Sequence, residues 1–163
     1  MFFRTLSIAH VSIVPNIPYE KSTLHSFIAL LWFGRGGDFD DDGLPNGWEF
    51  DHFGHVTNAV ASVDADGDGF DNLSGFISGS DPTNGTSFFA ASAAQDLSGF
   101  VVSWNAVSNR EYGVWQTGTL TNSFTSLASG IEFPQNSYTD TTHYAEAAGF
   151  YRVRLTPIFG PPA

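Results

Sequence analysis

The sequence predicts a mainly β protein in three parts: an apolar N-terminal arm over residues 1–37, a cation-binding loop module with short helices over 38–84, and an antiparallel β-sandwich over 85–163. Three observations predict it. From Ser87 onward, apolar and polar residues alternate in short runs separated by Gly, Asn, Ser or Asp, the pattern of half-buried antiparallel strands joined by turns. Between Asp38 and Asp68 it is aspartates that recur at every second position, twice, each time closed by glycine, which marks metal-binding loops rather than strands. Composition is the third: 163 residues with 42% hydrophobic and 15% aromatic side chains suffice for a packed core, so the acidity is not that of a disordered tail.

The arm contains RTLSIAHVSIVP, whose alternation predicts a strand broken by Pro15 and Pro18. STLHSFIALLWF follows and suits either a strand or a short helix begun at Ser22 or Thr23. Phe2, Phe3, Trp32 and Phe33, with the aliphatic residues between them, are too much apolar surface to leave in water. The arm is therefore expected to dock, on its own chain or, as the sharper expectation, on a neighbouring subunit so that residues 1–37 drive self-association. The longest apolar run, Phe27 to Phe33, is too short for a membrane span, which needs about 18 residues, and lacks the small-residue cleavage site of a secretory signal.

The module is organised by spacing. Asp38, Asp40 and Asp42 alternate, Gly43 is sixth, Leu44 seventh and Glu49 twelfth, the order of an EF-hand calcium loop. A cation of Ca2+ size takes six to eight oxygens at about 2.3–2.6 Å. Three carboxylates must then converge from odd positions, glycine allows the turn, the seventh residue gives its backbone carbonyl and the twelfth a bidentate carboxylate. Asp64, Asp66 and Asp68 repeat the pattern with Gly69 sixth, Phe70 seventh and Asn72 ninth, but the twelfth residue is Gly75. This loop is expected to bind more weakly unless Asp71, Asp81 or water completes its shell. Gly47 to Phe53 and His55 to Ser62 are candidate short helices, the second with Val56, Ala59, Val60 and Val63 at helical spacing. Trp48, Phe50, Phe53, Phe70, Phe76 and Ile77 are the candidate core of the module, and the turn at Asp81-Pro82 should end it. His52 and His55, with no third nitrogen or sulfur ligand nearby in sequence, read as polar rim residues rather than a transition-metal site.

DDDGLPNGWE, then DADGDGFDNLSGF and SGSDPTN, resemble the thrombospondin type 3 or dockerin-like calcium repeats of secreted bacterial proteins. Gly75 in place of the usual glutamate and Asp41 in place of a glycine depart from that pattern; Phe76 keeps its aromatic. The resemblance implies calcium-dependent folding and an extracellular or cell-surface setting.

SFFAASAAQ, GFVVSWNAV, REYGVWQTG, SFTSLAS, NSYTDT and GFYRVRLTP read as six or seven short strands. Trp104, Tyr112 and Trp115 are read as core, and Asp140 as the cap of a turn between strands. VVSWNAVSNREYGVWQTG through FYRVRL also resembles the small fibronectin type III or immunoglobulin-like domain that ends many secreted calcium-repeat proteins. That second resemblance implies a fold and says almost nothing about activity.

Several function classes are excluded or disfavoured. Formal charge is −11, and between Gly36 and Asn109 there are twelve Asp or Glu and no Lys or Arg, so phosphate neutralisation by clustered basic residues is absent and nucleic acid is not an expected partner. Without cysteine there is no disulfide and no thiol chemistry. Nucleophile-elbow, zinc-protease and phosphate-loop motifs are missing, and nearly all carboxylates belong to the loops, so the chain is not expected to be an enzyme. Two readings from different classes follow. One is an extracellular structural or adhesive protein, stiffened by Ca2+ and assembling through its arm. The other is a carbohydrate-binding accessory module in which Trp115 or Tyr144 is a stacking platform.

Overall fold

The computed structural model describes residues 37–143, 146 and 149–158; the strand and docking expected of the arm, and Tyr144, lie outside them. The described chain is mainly β, with two short helices, α1 (Asn46–Phe53) and α2 (Asn72–Ser78), followed by six strands. It divides into two compact units, one reaching Phe88 and the other running over Phe89–Ile158.

In the first unit each aspartate loop runs into a helix. Pro45 precedes α1 in extended conformation, and Asp71 precedes α2 with its side chain accepting the Ser74 N–H, the bond an N-terminal cap supplies. Gly54 and Gly79 end the helices in the left-handed conformation that glycine adopts without Cβ strain. The buried residues of this unit include Leu44, Ala59 and Glu49, while Trp48 meets Phe53 at 5.9 Å and Phe76 at 5.7 Å between ring centroids. Phe50 does not join them: it is 60% exposed, because two residues after Trp48 it falls on the other side of α1. Phe70 stacks on Phe88 at 6.2 Å, so the unit's packing continues past Asn84.

The expected helix from His55 to Ser62 is absent; the segment is a series of bends and turns. After the stop at Gly54, its backbone groups are drawn into other bonds. Asp42 Oδ2 accepts the Ala61 N–H at 2.8 Å, Asn72 Nδ2 donates to the Val60 carbonyl, and the Ala61 and Val63 carbonyls accept from the Leu73 and Asn72 N–H groups. Val60 and Val63 are left half exposed, so their helical spacing was not a buried face.

The second unit has two antiparallel three-stranded sheets. β1 (Ala91–Gln95), β2 (Phe100–Trp104) and β5 (Ser137–Asp140) form one in the order β1-β2-β5; β3 (Arg110–Thr117), β4 (Thr125–Glu132) and β6 (Phe150–Pro157) form the other in the order β4-β3-β6. Five of them lie within runs legible in the sequence, while β4 starts inside SFTSLAS and continues past Ser129 to Glu132. Buried and part-buried residues alternate along β2 and β6, placing Phe100, Val102, Trp104, Tyr151, Val153 and Leu155 inside. Rings from the two sheets meet, Trp104 with Tyr112 at 5.6 Å and Phe100 with Tyr151 at 6.0 Å. Burying each such side chain contributes about 1.5–3 kcal/mol before ordering costs. Tyr112 also accepts the Val107 N–H at 2.7 Å, fixing the connection before β3. Trp115, expected in this core, is only part-buried and lies among the alternate residues of β3. Among the described residues no helix is long and apolar enough to cross a membrane.

Candidate metal centre

The two loops repeat one another bond for bond at several positions. Asp38 Oδ2 accepts the Gly43 N–H and Asp64 Oδ2 the Gly69 N–H, both at 2.9 Å, tying first position to sixth. Asp42 Oδ1 accepts the Leu44 N–H at 2.9 Å and Asp68 Oδ1 the Phe70 N–H at 2.7 Å, tying fifth to seventh. Gly43 and Gly69 have φ of 98° and 94°, and the fourth positions, Asp41 and Gly67, have φ of 55° and 79°. Only Asp41 carries a side chain in this left-handed region, where a Cβ costs about 1–2 kcal/mol.

This geometry gathers the aspartates. One carboxylate oxygen from each of Asp38, Asp40 and Asp42 lies within 4.8 Å of the others, and the same holds for Asp64, Asp66 and Asp68. Oxygen-only donor sets of this kind suit a hard divalent cation. Leu44 and Phe70 stand at the turn of each loop, Leu44 wholly buried and Phe70 against Phe88.

The loops then diverge. Glu49, at the twelfth position of the first, is entirely buried, and neither of its carboxylate oxygens has a hydrogen-bond partner. Burial first, then the charges of Asp40 and Asp42, push its pKa up to about 7, with the Ala59 N–H easing this slightly without reaching hydrogen-bond geometry. Asp38 is also raised, by burial more than by its neighbours Asp42 and Asp40, and its Oδ1 is buried and unpartnered. A buried carboxylate without donors is costly, and a divalent cation is the group that would relieve three such oxygens together. Asp64 behaves oppositely: the Gly69 N–H above all lowers its pKa, helped by that of Gly67.

Nothing replaces Glu49 in the second loop among the described residues. Gly75 occupies the same helical position, and a Cβ there would rest on Pro82 and Ser80 at 3.6 Å. Asp71 is held by the Ser74 N–H, and Asp81 by the Thr83 N–H and hydroxyl with His52 Nδ1 at 3.5 Å; each therefore already has donors of its own. Asn72 is buried, its amide donating to Val60. Asp66 Oδ2 is buried without a partner. His55 Nδ1 lies 3.2 Å from the Thr57 hydroxyl.

Sequence reasoning missed two features of this unit. Gly85 closes on the second loop, where a Cβ would meet the Asp66 carbonyl at 3.1 Å, and Asp42 reaches across the sequence to Ala61. The turn glycine was visible, but its distant neighbour was not. No family model, curated protein or solved structure matches this chain.

Proposed function

We propose that this chain is a non-enzymatic, calcium-binding structural or adhesive protein of the extracellular space or cell surface, a thrombospondin type 3 or dockerin-like loop module followed by a fibronectin III or immunoglobulin-like sandwich. The observation that carries it is Glu49: a wholly buried carboxyl group with both oxygens unpartnered, coupled electrostatically to Asp40, Asp42 and Asp38. Asp38, Asp40, Asp42, Glu49 and the Leu44 carbonyl would hold the first ion. Asp64, Asp66, Asp68, Asn72 and the Phe70 carbonyl would hold a second, more weakly. The cation supplies positive charge to loops that have no Lys or Arg, and its binding free energy becomes folding free energy. The paired sheets and the rings meeting between them support the sandwich.

A structural role is favoured over catalysis because, among the described residues, the buried carboxylate outside the loops is held by structural bonds. The best-buried one in the second unit, Asp140, accepts from the Thr142 and His143 N–H groups and the Tyr151 hydroxyl, with His143 Nδ1 at 2.7 Å. Calcium titration with thermal melts in calcium and in EDTA tests the proposal. Chelation is expected to lower the melting temperature markedly; an unchanged melt in excess EDTA would overturn it.

A further inference from the structure

The outward side of the sheet β4-β3-β6 carries chemistry that cation binding does not use. Trp115 pairs in register with Arg152, and Gly113 with Arg154. The Trp115 ring lies over Gly113, where an added Cβ would stand 2.5 Å from it, and the Arg154 guanidinium sits 4.6 Å from its centroid. Arg152 sits 4.2 Å over the Phe124 ring. Two arginines, two residues apart on one strand with Cα atoms about 7 Å apart along it, thus each hold a guanidinium over an aromatic ring.

Among the described residues neither guanidinium has an ion-pair partner, and the Nε–H of each is buried without an acceptor. Arg110, Arg152 and Arg154 are the only Lys or Arg in the described chain, and all three belong to this sheet. A guanidinium already positioned by a ring loses little further freedom on binding, and its planar fork matches carboxylate or sulfate. Glu111 and Glu132 face each other at the end of the sheet beyond Arg154, which confines the basic patch to Arg152 and Arg154.

We propose that this face, centred on Arg152 and Arg154, binds an anionic polysaccharide through its carboxylate or sulfate groups. Charge complementarity selects the anion, and two positive groups on one strand suit a polymer that repeats its charges. β6, which carries both arginines, is an edge strand, so an acidic peptide pairing along it is the rival occupant that the test includes. A charged glycan needs only the guanidinium N–H groups. Trp115, with Arg154 over its ring and Gly113 against its Cη2 and Cζ3 atoms, acts here as the support of a cation rather than as a surface for stacking sugars.

The test uses the full chain in calcium with chondroitin sulfate, which carries both groups, against neutral dextran and polyglutamate. Binding at ~50 mM salt is expected, with dextran inert. Arg152→Gln or Arg154→Gln should each weaken it about tenfold, with an unchanged melt. The Arg152→Lys/Arg154→Lys variant, which keeps the charge and removes the fork, should fall between wild type and the double glutamine variant, and it remains informative if the glutamine variants fold poorly. Absence of binding, or equal binding by wild type and the double lysine variant, overturns the proposal. Tighter binding of polyglutamate would reassign the face to an acidic peptide. Binding lost in Glu49→Gln but untouched by the arginine changes would place the contact at the cation loops, so this proposal and the calcium proposal fail separately.

Discussion

Glu49 is the side chain whose removal separates the two loops. Converting it to Gln removes one charge and one strong oxygen donor from a site whose affinity depends on ligand charge, so Glu49→Gln is expected to weaken first-site calcium binding by at least about tenfold. Gly75→Ala should leave second-site binding nearly unchanged, since the added Cβ only rests on Pro82 and Ser80. Titration calorimetry distinguishes the two sites, and equal affinities in the wild type would mean that some other oxygen fills the twelfth position. Asp140 gives a pH prediction in the second unit. Burial raises its pKa, but hydrogen bonds from His143, Thr142 and Tyr151 together outweigh this and leave it below the usual 3.8. A carboxyl depressed on folding stabilises fully above its unfolded pKa and loses that contribution as pH falls through the folded value. The second unit should therefore lose stability as pH falls below about 4. Asp140→Asn should cost about 1–3 kcal/mol at neutral pH and flatten that acid dependence; an equally steep acid melt in the variant would assign it elsewhere. Tyr151, raised by burial first and then by its bond to Asp140, stays neutral throughout.

At the level of elements, the stretch between α1 and the second loop links the two aspartate loops. Asp42 holds the Ala61 N–H, while the Ala61 carbonyl receives the Leu73 N–H from α2, so one residue bonds to both halves. Ordering either loop should steady this strap and help the other, with a coupling of about 1–3 kcal/mol, the usual range between communicating sites. Asp68→Asn is accordingly expected to weaken calcium binding at the first loop as well as the second; an unaltered first-site affinity would show the strap to be passive. The strap is also where the sequence misled. Val56, Ala59, Val60 and Val63 are spaced for a helix, yet Asn72 bonds to the Val60 and Val63 carbonyls and Asp42 and Leu73 to the backbone of Ala61, partners from elsewhere in the chain that leave no local signal. Strands were easier to read, because alternation records which side of a sheet is buried. Leu44 was read for its carbonyl and proved to be core, while Trp115 was read as core and proved to support Arg154; register between β3 and β6 decides the latter, and a single strand's pattern does not encode register.

For the molecule as a whole, the expectation of assembly rests on the apolar content of residues 1–37. Burial at about 25 cal/mol per Å2 favours docking of the arm, and we propose that it docks on a neighbouring subunit. Deleting residues 2–33 should convert an oligomer into a monomer by light scattering in calcium; a full-length monomer at micromolar concentration would mean that the arm folds back on its own chain. The acidic loops were legible because their aspartates and glycines recur at fixed short spacings along the chain. The arginine face was not, because its parts lie on separate strands. That face has a consequence for how the chain is free to change over generations. Gly113 fits only because hydrogen leaves room for the Trp115 ring, and Arg154 is placed by that ring. A larger residue at 113 would displace the indole and strip the guanidinium of its support, so the three positions form one inherited unit that drifts together or not at all.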